Sequence, residues 1–149
     1  MEAVPPNLDT STPNADEKSM AMMSHLLMIF AGFMPPLVIY LVKRDSKFVA
    51  FHAMQGLLWH VLMFILQIFG VAGIMASMFL TLPHVPQKPD ASNSFPLAFF
   101  GFFGVFWILF FGMWMANLIL GVVYSIKANR GEWAEYPIFG RLARRIVGV

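Results

Sequence analysis

The side chains in this 149-residue chain that could do chemistry are few: four histidines, a handful of amides and hydroxyls, and no cysteine. Without cysteine, disulfides, thiolate catalysis and Cys-based metal or iron–sulfur centres are excluded. A haem would need two histidines at matching heights on facing helices. Zinc would need convergent ligands, and the histidines are scattered, with no carboxylate in any apolar run to complete a set. Met20, Met22 and Met23 form a soft cluster of the kind that holds Cu(I), but methionine in an apolar helix is usually filler. Ser24, Ser77 and Ser125 have no evident base to activate them. The expectation is no catalytic residue, no cofactor and no metal.

The elements that must position these groups are apolar. Hydrophobic residues make up 58% of the chain and charged residues 12%, too few charges to solvate a soluble domain of this size. A net charge of +2, scattered along the chain, gives no footprint for nucleic acid. From Phe48 to Leu82 there is no Asp, Glu, Lys or Arg, and Phe95–Ile126 is equally free of them. The first apolar run, Ser19–Val42, is interrupted by Gly32 and Pro35-Pro36, which predicts a kinked single span, a re-entrant hairpin being the alternative. The expected fold is an all-α integral membrane protein with three transmembrane helices (19–42, 48–82, 95–127), the first kinked between Gly32 and Pro36. A disordered polar tail (1–18) precedes them, and a cytoplasmic amphipathic tail (128–149) follows. In that tail Ile138, Phe139, Leu142 and Ile146 could share one face opposite Arg141, Arg144 and Arg145, the pattern of a short interfacial helix.

Basic residues cluster in the Lys43–Lys47 connection and after Ile126, whereas the N-terminal tail is acidic. The positive-inside rule then predicts a multi-pass protein of a bacterial inner (cytoplasmic) membrane, its N-terminus outside and its C-terminus cytoplasmic. Its partners are expected to be anionic lipid headgroups and further copies of itself or a larger membrane complex. Small residues, such as Ala72/Ala76 and Gly73/Ser77 in the second span and Gly101, Gly104, Gly112, Ala116 and Gly121 in the third, are expected where helices meet.

Polar residues inside apolar helices hold helices together or serve function. Counting ~1.5 Å of rise per residue from the flanking charges puts Gln55 about 12 Å, and His60 about 20 Å, above Lys47. Asn117 lies about 15 Å above Lys127, at a height between those two, so a hydrogen bond from Asn117 to Gln55, Trp59 or His60 is expected. On a straight first span His25 would lie about 27 Å above Lys43, away from the other imidazoles. His52, Arg130, Trp133 and Tyr136, with Arg141, Arg144 and Arg145, are expected to form a cytoplasmic interface.

Two stretches carry a resemblance: KRDSKFVAFHAMQG (Lys43–Gly56) and IKANRGEWAEYP (Ile126–Pro137), together with the GFMPP break. They resemble the bacterial membrane-protein family called domain of unknown function 4870. That family is distantly similar to the membrane core of the chloroplast inner-envelope import translocon (Tic), and includes small magnetosome membrane proteins. The resemblance implies no catalytic residues. The primary expectation is a non-catalytic scaffold or accessory subunit of a membrane complex. The alternatives are an oligomeric Tic-like channel or translocation component, and a magnetosome-type membrane organiser.

Overall fold

The computed structural model of the protein describes residues 12–81 and 94–149. The connection between the second and third expected spans (82–93), and residues 1–11 of the polar tail, lie outside that range. Among the described residues the structure is helical, with no strand: α1 Ala15–Leu26, α2 Met28–Ala31, α3 Met34–Val42, α4 Lys47–Thr81, α5 Ser94–Asn129 and α6 Gly140–Val147. It divides into two compact units, one comprising Met1–Val61 and Asn117–Val149, the other Leu62–Ala116.

In the first unit, α1 starts inside the stretch expected to be tail. Asn14 Oδ1 accepts the Glu17 N–H and Glu17 Oε2 accepts the Asn14 N–H, each at 2.9 Å, a reciprocal cap that satisfies two otherwise orphaned donors. Gly32, at φ +63°, ends α2 in a conformation that side-chain-bearing residues rarely adopt. Pro35 and Pro36 then occupy the first turn of α3, where a missing N–H leaves no bond unmade. The chain therefore reverses. Lys43 Nζ, at the end of α3, reaches Asp16 Oδ2 at 3.0 Å, and Ser46 Oγ donates to Glu17 Oε1 at 2.7 Å.

These contacts correct the expectation for the first apolar run. It is a helical hairpin whose two ends meet, not a kinked rod. The proline pair begins a returning helix; it does not bend a continuous one.

Among the described residues, helices α4 and α5 are the two long and apolar enough to cross a membrane, over Lys47–Leu80 and Phe100–Asn129. With 35 and 36 residues they run about 52–54 Å, well beyond a ~30 Å hydrocarbon core. Part of the surplus is the length buried in the first unit, where Val49 through Ala53 are each at most 1% exposed. The second unit is the opposite: none of its described side chains is buried, and Phe103, Trp107, Phe110 and Phe111 touch one another along α5.

Helix α6 is amphipathic, but turned from the expected face. Gly140, Ala143 and Val147 are buried, and Ala143 and Val147 pack on Ala50, Phe51 and Met54 of α4. Ile138, Leu142 and Ile146 face outward, 66%, 43% and 47% exposed. Arg144 leaves the basic stripe to lie over Phe51 and Trp133, its guanidinium 5.1 and 5.9 Å from the ring centroids, and pairs with Glu135. Lys47 Nζ donates to the Val147 carbonyl at 2.6 Å, placing a cation at the negative end of α6. The C-terminal segment is thus part of the first unit's core rather than a separate tail.

Of the small residues expected at helix contacts in α4 and α5, Gly121 is a close-approach site. A Cβ there would lie 2.5 Å from Ile29 Cγ1 and 3.2 Å from the His25 carbonyl oxygen, whereas Gly73, Gly101, Gly104 and Gly112 have nothing within 4 Å. Gly121→Val should therefore lower stability by about 1–3 kcal/mol through overpacking, with Gly104→Val near neutral. Thermal unfolding in detergent checks this, and equal effects would refute the assignment.

Candidate functional site

The stretches Lys43–Gly56 and Ile126–Pro137 converge in the first unit. His52 and Gln55 lie one turn apart on α4, both fully buried, and their side chains bond to the backbone of residues 132–136. His52 Nε2 lies 3.0 Å from the Glu132 carbonyl oxygen. Gln55 Nε2 donates to the Ala134 carbonyl at 3.1 Å, and Gln55 Oε1 accepts the Tyr136 N–H. One carboxamide thus satisfies both a donor and an acceptor of a non-helical strip, at the buried Tyr136 N–H and the part-buried Ala134 carbonyl.

His25 completes the arrangement from α1. Its Nε2 is 3.0 Å from His52 Nδ1, and its Nδ1 is 3.0 Å from the Tyr136 hydroxyl. Donor and acceptor logic gives this chain one direction. A carbonyl oxygen only accepts, so His52 Nε2 carries the proton toward Glu132 and a neutral His52 presents Nδ1 as an acceptor. His25 Nε2–H then donates to His52 Nδ1, which leaves His25 Nδ1 to accept the Tyr136 O–H. Both imidazoles are neutral, with every ring nitrogen used.

The surroundings enforce neutrality at His25. Burial pushes its pKa well below 6.5, with the neighbouring His52 acting the same way, and burial pushes the Tyr136 phenol upward, reinforced by Tyr124. Tyr136 stacks on His25 with ring centroids 5.4 Å apart and contacts Tyr124 at 4.2 Å. Tyr124 in turn donates its hydroxyl to the Glu135 carbonyl at 2.7 Å. Among the described residues no buried side-chain nitrogen or oxygen lacks a partner, and no group of three or more His, Cys, Asp or Glu could hold a metal ion. Chemically this is a lock that fixes α1, α4 and the 132–136 strip to one another. Ser24 and Ser125 bond back to carbonyls of their own helices, at Ala21 and Val122.

The remaining expected site residues divide between core and surface. Asn117 Oδ1 accepts the Trp59 indole N–H at 3.3 Å, Trp59 being one of its three expected partners. Gln55 is committed to the 134–136 backbone instead, and His60 Nδ1 bonds to the Gly56 carbonyl of its own helix at 3.2 Å. His52 and Tyr136, 0% and 2% exposed, are core, which corrects their expected place on a docking surface. Trp133 is half-buried against Phe48 and Phe51. Arg130, Arg141 and Arg145 are exposed, with Arg130 in a loose 3.9 Å pair with Glu132. Sequence reasoning does not bring His25, Tyr124 or Met28, whose sulfur lies 4.0 Å from the Tyr136 hydroxyl, to the site. The signal for His25 is the reversal at Gly32, which sets it beside His52.

Two measurements check the lock. Gln55→Leu orphans the buried Tyr136 N–H and the part-buried Ala134 carbonyl, at about 1–3 kcal/mol for the first and less for the second, and should destabilise the first unit by about 1–4 kcal/mol in chemical unfolding. Tryptophan fluorescence in a Trp107→Phe, Trp114→Phe background follows it, leaving Trp59 and Trp133 as reporters of the first unit. The second measurement is pH dependence. The unfolded chain titrates His25 near 6.5 and the folded chain holds it neutral, so in acid the unfolded state binds the extra proton. Stability should be complete above about 6.5 and fall below it by up to about 1.4 kcal/mol per pH unit for this one group. Melting temperatures unchanged down to about pH 5 would contradict the neutral chain.

No curated protein and no solved structure matches the chain. A family model does, over residues 16–143, from the capped first turn of α1 to the buried face of α6, so that both clamped stretches fall inside it. That span covers most of the sequence, and the protein belongs to the magnetosome magnetite crystal formation protein family.

Proposed function

We propose that the protein is a non-catalytic organiser of the magnetosome membrane, with two spans and a first unit locked by buried polar contacts. The observation that carries this reading is the mutual clamping of the two motifs. Their histidine and glutamine are consumed in fixing backbone, which is the behaviour of a scaffold, and the family membership supplies the setting.

The ends of the first apolar run meet at Asp16 and Lys43, so in this reading α4 and α5 cross the bilayer and that run does not. Both termini then lie on one side. Lys43, Arg44, Lys47, Lys127, Arg130, Arg141, Arg144 and Arg145 all belong to the first unit, against Lys88 and Asp90 in the connection between α4 and α5. The positive-inside rule makes the first unit cytoplasmic and turns the 82–93 connection toward the compartment interior. The outward stripe of Ile138, Leu142 and Ile146 rests on the cytoplasmic leaflet, with Arg141 and Arg145 toward anionic headgroups.

The cysteine-free chain makes the topology directly testable. Thr12→Cys and Val149→Cys should react with an impermeant maleimide from the same side and Lys88→Cys from the other. Labelling of Thr12→Cys and Val149→Cys from opposite sides would restore a three-span arrangement. For the role itself, deleting the protein in a magnetite-forming host should change crystal size or number, with recovery on return of the wild-type chain. Crystals indistinguishable from wild type would sink the proposal.

A further inference from the structure

Gln67 stands apart from every polar residue assigned above. It is the one amide among the described residues of the second unit, it is exposed, and its side chain makes no hydrogen bond to another described residue. It lies about 30 Å along α4 from Lys47 and about 20 Å from the end of that helix. Between Val61 and Leu80 the other polar side chain is Ser77. With α4 in the bilayer, this places a carboxamide among hydrocarbon, where neither water nor lipid tails can bond to it.

The surface around Gln67 is shaped to be covered. It lines an apolar groove of about 300 Å³ with Gly70 and Ile74 of α4 and Phe106, Phe110 and Met113 of α5. One turn beyond Gln67, a Cβ at Gly70 would meet nothing within 4 Å, so another helix can approach the backbone there. An acyl chain could fill the groove but carries no group to satisfy the amide. A second copy in the same membrane orientation brings an identical carboxamide at the same depth. Two such carboxamides can each donate to and accept from the other about a two-fold axis along the membrane normal.

We propose that two copies of this chain pair within the membrane through Gln67, each seating its α4 against the Gly70 groove of the other. The pairing rests on α4 and α5 lying in the bilayer, which the maleimide labelling tests separately, and is independent of any role in crystal formation. The test uses full-length protein carrying Val149→Cys, labelled with donor or acceptor dye and co-reconstituted in phosphatidylcholine vesicles over a lipid dilution series. Energy transfer should persist on dilution. Gln67→Leu should raise the apparent dissociation constant about tenfold or more, Gly70→Ile should weaken pairing comparably, and Gln67→Asn, which keeps the amide, should retain most of it. Melts followed through Trp59 and Trp133 in the Trp107→Phe, Trp114→Phe background should be unchanged in all three, so that lost pairing is not misread as unfolding. Transfer no greater than random for the wild type would mean that lipid or a different protein covers the groove, and would overturn the proposal. So would pairing in Gln67→Leu or Gly70→Ile equal to wild type.

Discussion

The first unit depends on a requirement of solvation: where a part-buried stretch of backbone has neither helix nor sheet, the polar groups that water does not reach must be answered by side chains. Residues 132–136 form such a strip, and Gln55 and His52 answer it with one amide and one imidazole. Because the carbonyl of Glu132 can only accept, it dictates the tautomer of His52, hence that of His25, hence the direction of the Tyr136 hydroxyl. One acceptor thus orders a chain of groups drawn from three separate parts of the sequence. Two buried histidines that would suggest catalysis or metal binding are explained as polar packing with a defined polarity.

The same constraint accounts for how the chain meets its surroundings. Where backbone is helical, as it is throughout the described part of the second unit, its groups are satisfied internally and the side chains can be left facing outward, as hydrocarbon requires. Where backbone leaves the helix, the first unit closes around it with Phe51, Trp133 and the guanidinium of Arg144. Surface ion pairs such as Arg130 with Glu132 add little to this. The polar contacts that matter are the shielded ones.

Much of this is legible in the sequence, and the differences share a cause. The charge-free runs identify α4 and α5, and the stretches around His52 and Trp133 stand out even though nothing in the sequence shows that they touch. His25 is misplaced when its height is counted along a straight rod, although Asn14 and Glu17 spell a helix start and Gly32 allows a reversal. The inner face of α6 is missed if the largest apolar residues are assumed to be the ones that pack. Beside lipid the bias runs the other way: Gly140 and Ala143 permit close approach to α4, while Ile138, Leu142 and Ile146 can face outward. On sequence alone the magnetosome setting ranks behind the generic scaffold, since a connection with one Lys and one Asp carries no charge pattern to promote it.

The bonds that close the first unit join residues 79 to 111 positions apart, because α4 and α5 and their connection intervene. A ribosome adding roughly 5–20 residues per second would therefore finish His52 and Gln55 several seconds before their backbone partners exist. Throughout that interval the Gln55 carboxamide and the Nε2–H of His52 lack the partners they have in the finished unit. A product cut short before the 132–136 strip would lack those partners permanently, so the C-terminal segment is needed for the first unit to close.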